Sequence, residues 1–164
     1  MEKTDLVDRV LAQWKREKPE LDPWPMAIMG RLVRADAIFS KTLQGVFKQF
    51  GLNGGEFDVL ATLRRSGQPY ALTPNQLLQT LMLTSGSMTN RIDRLEEKSL
   101  VKRSPDPNDR RGVVVSLTQQ GLKVIDEVIV EHVAKGNDLL APLEYEEQQQ
   151  LANLLKKLLV ANAH

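Results

Sequence analysis

Apolar residues recur at three- and four-residue steps along most of the chain, which is the spacing that places side chains on one face of an α-helix. The pattern predicts five helical segments, at residues 1–18, 25–50, 54–66, 118–141 and 145–162. Prolines, glycines and polar cap residues mark their ends, because proline cannot continue a helix and Ser, Thr or Asn side chains accept the free N–H groups at its start. The protein is therefore predicted to be mainly α-helical.

Two further helices are predicted between the third and fourth of these segments. The first begins at Thr73-Pro74 and is only about seven residues long, with proline at its first position. The second follows Thr84, another candidate N-cap, and spans residues 85–98. Two short capped helices that are separated by a tight turn are typical of a helix-turn-helix.

The period then changes to that of β-strands. Residues 100–103 and 112–117 are strand-like, and the prolines and basic residues of 104–111 lie between them. We expect a hairpin with a long, proline-stiffened, basic tip, and no other strand. The predicted fold class is mainly α with a small β-hairpin wing, a winged helix-turn-helix with helical segments before and after it.

Composition and charge narrow the choice of function. The 164 residues are 41% hydrophobic and 26% charged, which is typical of one folded domain rather than a disordered chain. The net charge is only +1, but it is unevenly distributed. Residues 84–111 hold seven Lys or Arg against five acids and residues 25–50 hold four against one, whereas residues 112–164 hold four against seven. The helix-turn-helix and wing are thus modestly basic, and the C-terminal helices are acidic.

Several classes of protein are disfavoured. The chain has no cysteine and two histidines, so we expect no disulfides, no metal site and no cysteine nucleophile. No phosphate-binding glycine loop or nucleophile elbow is present, and we expect neither an enzyme nor a bound cofactor. The first thirty residues lack a signal-like apolar region, and no apolar run is long enough for a membrane span. We therefore expect a cytoplasmic protein without a membrane partner.

The predicted 85–98 helix carries hydroxyl, amide and guanidinium groups on the side away from its apolar residues. Such groups contact base edges and phosphates in the major groove of double-stranded DNA. An alternative is that Arg91 and Arg94 pair with Asp93 or Glu97 on a solvated helix. The basic hairpin favours DNA binding, because a wing can place arginine in the minor groove. The predicted DNA-binding residues are Thr84, Ser85, Ser87, Asn90, Arg91 and Arg94 on or before the helix, and Arg110, Arg111 and Asp109 in the wing, the last as an orienting residue.

The wing region resembles the MarR family of bacterial transcription regulators. The similarity rests on Asp106-Pro107-Asn108-Asp109-Arg110-Arg111 and on Leu117-Thr118-Gln119-Gln120-Gly121 at a fixed spacing, and it extends over residues 25–162. The family usually has glycine where this chain has Ser99, a residue for which a left-handed helix end costs about 1 kcal/mol. The resemblance implies a DNA-binding transcription regulator of the repressor type.

The same resemblance implies a homodimer. Residues 25–50 and 118–162 would form its helical dimerisation region and residues 51–117 its DNA-binding region, while residues 1–24 would be an added N-terminal helix and linker. The leucines at 151–159 also have little to cover in a single winged-helix unit. The 85–98 helix would be the recognition helix, the one that enters the major groove. A two-fold dimer predicts a palindromic operator, with its two recognition helices about 34 Å apart.

Residues 13–23 resemble a narrower branch of the family, which carries an added first helix and responds to urate, related purines or phenolic compounds. The resemblance implies that a small aromatic anion is bound by Trp14, Asp58, Arg65 and Arg91. Stacking on tryptophan and pairing with a guanidinium suit such a ligand. An anion near Asp58 would also disturb the pairing of that carboxylate with an arginine of the recognition helix.

Simpler roles remain open for these residues. Trp14 could anchor the first helix, Asp58 and Arg65 could be ordinary ion-pair residues, and Arg64 is an alternative to Arg65. Asp36, an acid on the apolar stripe of the second helix, could be a solvated residue, an ion-pair partner or a ligand contact. At the level of function, the alternatives are a DNA-binding regulator without an effector and a helical dimeric interaction adaptor.

Overall fold

The computed structural model describes residues 4–81, 85–107 and 109–163, and its internal contacts divide the chain into two units, residues 1–42 and 43–164. The first unit contains helix α1 (Leu6–Glu17) and most of helix α2 (Trp24–Gln49). The predictions of helices at residues 1–18 and 25–50 are confirmed, with α1 beginning later than the apolar pattern indicated. Its start is fixed by Asp5, whose carboxylate accepts the backbone N–H of Asp8 at 2.9 Å.

Arg31 holds α1 against α2 within this unit. Its guanidinium pairs with Asp5 at 3.0 Å and with Asp8 at 2.6 Å. The helices approach closely at Gly30, where an added Cβ would lie 3.3 Å from a methyl group of Val7. Asp36 is exposed on α2 and accepts a hydrogen bond from Ser40 at 3.5 Å, which agrees with its reading as a solvated residue.

The second unit holds the winged helix. Its elements are α3 (Gly54–Arg65), β1 (Ala71–Leu72), α4 (Pro74–Leu81), α5 (Ser85–Glu97), β2 (Val101–Asp106), β3 (Asp109–Leu117), α6 (Gln119–Leu140) and α7 (Tyr145–Ala161). The five helices predicted here are confirmed to within about a turn at each end, and Asn53 and Thr118 cap α3 and α6 as expected. Thr84, the cap predicted for α5, lies outside the described residues.

The three strands form an antiparallel sheet in the order β1-β3-β2. Two predictions about it are wrong. The tip is not a long loop: β2 and β3 pair from Val101 and Leu117 out to Pro105 and Val113, with an irregularity after Pro105. Pro105 is tolerated because β2 is an edge strand, where a missing N–H need not break the ladder. The hairpin is also not the whole sheet, since β1 pairs with β3 through Ala71 and Leu72; two residues are too few to show an alternating pattern.

One hydrophobic core joins α3, α4, α5 and α6 with the sheet. Its fully buried side chains include Leu60, Leu63, Leu77, Met88, Ile92, Leu95, Val115 and Ile125. Helix α7 differs, because it contains no buried residue at all. In the described part of the chain no helix combines the length and the apolar character that crossing a bilayer requires.

Close backbone contacts join the end of α5 to the start of α6. Ser99 takes a left-handed conformation with φ of 58°, and the N–H of Leu100 donates to the carbonyl of Leu95 at 2.9 Å, as in a helix end that normally uses glycine. Thr118 donates to the carbonyl of Ser99 at 2.8 Å. A Cβ at Gly121 would lie 1.9 Å from the carbonyl oxygen of Leu100, so this position of the Leu-Thr-x-x-Gly motif requires glycine.

Candidate nucleic-acid interface and effector site

Helix α5 presents two chemically distinct faces. Met88, Ile92 and Leu95 are buried in the core, whereas Asn90 and Arg94 are exposed and Ser87 is partly exposed. A polar cavity of about 270 Å³ lies where this second face meets the start of α3, lined by Asn53, Gly55, Ser87, Asn90, Arg91 and Arg94. The structure thus brings four of the predicted DNA-binding side chains to one surface.

The other predicted DNA-binding residues belong to the same elements or lie beside them. Ser85 is at the start of α5, and Arg110 and Arg111 are near the start of β3. Asp109 lies opposite Asp106 in the register of the β2–β3 hairpin. Thr84 lies outside the described residues.

Arg103, which sequence reasoning missed, joins the wing to α5, the predicted recognition helix. Its guanidinium on β2 pairs with both Asp93 and Glu96 of α5, and its backbone N–H donates to Glu96 at 3.1 Å. Partial burial lowers the pKa of Arg103, but the hydrogen bonds to the two acids outweigh this effect and raise it above its ordinary value. Asp93 is therefore engaged by the wing, and among the described residues no acid of α5 pairs with Arg91 or Arg94.

Arg91 belongs to α5, but its side chain packs against α3 instead of pairing with an acid of its own helix. Its Nη1 is 3.7 Å from Oδ2 of Asp58 and 3.5 Å from the carbonyl oxygen of Gly55, and its side chain is 24% exposed against 51% for Asp58. Partial burial raises the pKa of Asp58, although the charges of Arg91 and Arg65 act to lower it. The structure therefore brings together three of the four residues predicted to bind an effector, Asp58, Arg65 and Arg91.

The remaining candidates have different surroundings. Trp14 lies on α1 in the first unit, and its side chain is 38% exposed. Arg64, the alternative to Arg65, donates to Asp126 at 2.6 Å and lies over the ring of Tyr70 at 5.0 Å. Because Arg64 joins α3 to α6 in this way, Arg65 is the better candidate for a ligand contact.

A second ion pair joins α3 to the far end of α5. Glu56 is 1% exposed and receives hydrogen bonds of 2.8 Å from Nζ of Lys98 on both of its carboxylate oxygens, and Lys98 also donates to the carbonyl of Gly51 at 2.8 Å. Glu56 accepts the N–H of Asn53 in the capping box of α3. The Asn-x-x-Glu spacing was a signal that could have identified Glu56 as a cap residue; its pairing with Lys98 has no local signal, because 42 residues separate the two.

Comparisons with known proteins agree with this geometry. A family model described as MarR family matches residues 50–112. The chain is 41% identical over 149 residues to the HTH-type transcriptional regulator PecS of Dickeya dadantii, covering 91% of this chain and 90% of that protein. It is similar, with a TM-score of 0.71 and 28% identity, to a mutant of MarR from E. coli complexed with operator DNA, covering 95% of this chain and 99% of the other.

A further solved structure is that of BpsR from Bordetella bronchiseptica, described in connection with regulation of its DNA binding by 6-hydroxynicotinic acid. The TM-score is 0.70 at 25% identity, and the match covers 80% of this chain and 98% of that one. The relatives are transcriptional regulators, which confirms the prediction that the protein is not an enzyme. The chain belongs to the MarR family of winged-helix, DNA-binding transcriptional regulators.

Proposed function

We propose that the protein is a homodimeric repressor that binds a palindromic operator and releases it when a small aromatic anion binds. The observation that carries the proposal is the sidedness of α5, whose apolar face is fully packed while Ser87, Asn90 and Arg94 remain on the opposite surface. A helix that is rigidly packed on one side and polar on the other can enter a major groove without rearranging the core. Arg103 supports this role, because it fixes the wing to the same helix.

The homodimer is supported by apolar side chains that the chain does not cover. Leu154, Leu158 and Leu159 of α7 are exposed, as are Val130 and Val133 of α6. Contiguous apolar surfaces of this kind mark interfaces between proteins. We propose that residues 25–50 and 118–162 pair with those of a second copy, while residues 51–117 bind DNA and residues 1–24 contribute the N-terminal helix.

The effector is proposed to act on Arg91. A urate-like or phenolic anion near Asp58 would compete for the guanidinium groups of Arg65 and Arg91, and loss of the Arg91 contact would loosen α5. Stacking on Trp14 would hold the aromatic ring. The description of BpsR supports this chemical class, since 6-hydroxynicotinic acid is itself an aromatic acid.

The DNA assignment can be tested on the palindrome nearest the protein's own gene by fluorescence anisotropy at several salt concentrations. We expect Arg94→Ala, and the double variant Arg110→Ala with Arg111→Ala, to weaken binding and to reduce the salt slope by about one per lost phosphate contact. Arg16→Ala removes an exposed arginine of α1 that pairs with Glu17, outside the proposed dimerisation and DNA-binding regions, and it serves as the control. Unchanged affinity in both arginine variants would refute the assignment, and absence of DNA binding in the unmodified protein would favour the adaptor.

The effector assignment needs a separate titration. Urate, xanthine, hypoxanthine and salicylate are added to the protein–operator complex while tryptophan fluorescence and anisotropy are recorded. We expect one of them to release DNA and to quench Trp14, with the response reduced in Trp14→Phe and Arg65→Ala. Trp14→Phe retains Trp24 as an internal reference. Operator binding that is insensitive to all four compounds would favour a regulator without an effector.

A further inference from the structure

Gly55 occupies the place on α3 where the guanidinium of Arg91 lies. A Cβ at this position would be 2.6 Å from both Cζ and Nε of Arg91, which is too close for the side chain to stay where it is. At the neighbouring Gly54, a Cβ would find nothing closer than Phe47, at an ordinary contact distance of 3.7 Å. The two adjacent glycines thus differ in one respect, since only Gly55 leaves room for a side chain of the recognition helix.

We propose that Gly55 is a positioning residue for DNA recognition: its missing side chain forms a seat in which Arg91 docks, and the docked Arg91 holds α5 in the arrangement that binds the operator. The seat consists of the space above Gly55, the carbonyl of the same residue and the carboxylate of Asp58 one turn later. This inference rests on the proposed function, because it names the contact through which the effector would act.

Two side chains, one within α5 and one just after its last residue, attach it to the start of α3 and the turn before it, and the two attachments differ in strength. Lys98 makes three contacts of 2.8 Å, two of them to the buried carboxylate of Glu56. Arg91, seven residues earlier on the same side of α5, makes contacts of 3.5 and 3.7 Å to Gly55 and Asp58. Charge-assisted hydrogen bonds weaken steeply at such distances. The Lys98 end therefore acts as the fixed point, and the Arg91 end is the one that a competing anion could open.

If Gly55 were needed only for its backbone conformation, Gly55→Ala would disturb the fold itself. Gly55 lies in helix α3, and its φ is not in the left-handed region. Alanine is compatible with that backbone and is a better helix former than glycine. The atoms that a new methyl group would meet are the far end of a flexible side chain, which can move away. Gly55→Ala should thus fold normally and still empty the seat.

The experiment compares Gly55→Ala with Gly54→Ala in the full-length protein. We expect both variants to keep or slightly raise the Tm, and Gly54→Ala to bind the operator as the unmodified protein does. Gly55→Ala should weaken operator binding by about tenfold, within the range of 5- to 150-fold that is typical of coupling between sites. Adding Gly55→Ala to Arg91→Ala should then cause little further loss. Operator affinity in Gly55→Ala equal to that in Gly54→Ala would overturn the proposal.

A second readout does not depend on DNA. The side-chain Nε–H resonance of Arg91 can be assigned in an NMR spectrum by its disappearance in Arg91→Lys. Gly55→Ala should shift this resonance toward that of a solvated arginine, and Gly54→Ala should leave it in place. If the unmodified protein binds no operator, the proposed function fails while this readout still decides on the seat. An unshifted Arg91 resonance in Gly55→Ala would refute the proposal that Gly55 forms the seat of Arg91.

Discussion

The winged helix and helix α7 carry the same kind of apolar stripe, yet they bury it to very different degrees. Leu60 and Leu63 of α3 are inaccessible to solvent, whereas Leu158 and Leu159 of α7 are 48% and 72% exposed. The winged helix closes its core within one chain, because helices and sheet surround it on several sides. An apolar stripe thus predicts a helix, but it does not say which molecule covers the stripe.

The largest effect is expected from charges on the exposed apolar face of α7. If a second copy covers this helix, then Leu154→Glu with Leu158→Glu places two charges in the interface and should convert the dimer to a monomer. Operator affinity should fall by about 100-fold or more, because the two half-sites are then bound independently. Analytical ultracentrifugation and anisotropy measure the two effects.

The matched control for that variant is Gln149→Glu with Asn153→Glu, which adds the same two charges at polar, exposed positions of α7. It should keep both the mass of the dimer and the affinity for the operator. A monomeric unmodified protein would show that a different partner covers the leucines.

The next largest effect is expected in the core. Leu60→Ala should lower the free energy of unfolding by about 2–5 kcal/mol, since it removes a buried side chain and leaves a cavity. Leu158→Ala should cost less, and its cost should shrink as the protein is diluted below the dissociation constant of the dimer, because an interface stabilises the folded chain only while the dimer is populated. Urea titrations at two protein concentrations separate the two cases. A cost for Leu158→Ala that does not vary with concentration would contradict a self-association role for α7.

Local patterns predicted most of the fold and only part of the candidate site. The steps of Met88, Ile92 and Leu95 correctly identify the buried face of α5, since helix geometry alone decides which side chains share a face. The local pattern places Pro105 in a loop, whereas it lies in edge strand β2, and its place at a sheet edge depends on strand order. The contacts of Arg103 with α5, and of Lys98 with Glu56, arise from tertiary packing, which no local spacing encodes.

Glu56 allows a smaller test within the winged helix itself. Glu56→Gln leaves Lys98 without its buried partner, and we expect a loss of about 1–3 kcal/mol, below the cost of breaking a fully buried pair because Lys98 is partly exposed. Asp126→Asn removes the partner of Arg64, a pair in which both side chains are more than one-third exposed, and should cost about 0–1 kcal/mol. Thermal and urea unfolding measure both. Equal losses of unfolding free energy in the two variants would show that burial of Glu56 does not strengthen its ion pair with Lys98.

The smallest expected change is a gain in stability at Ser99. This residue ends α5 with φ of 58°, a conformation that strains any residue with a Cβ. Ser99→Gly should therefore stabilise the protein by about 1 kcal/mol, seen as a higher urea midpoint with an unchanged slope. Ser66 ends α3 with φ of −69°, in the right-handed region, so Ser66→Gly relieves no strain and should give no gain. A gain at Ser66 as large as that at Ser99 would mean that strain in the left-handed region is not its source. Because Ser99 lies at the C-terminal end of the recognition helix, a gain confined to this position would identify the end of α5 as a place where the packed winged helix carries local backbone strain.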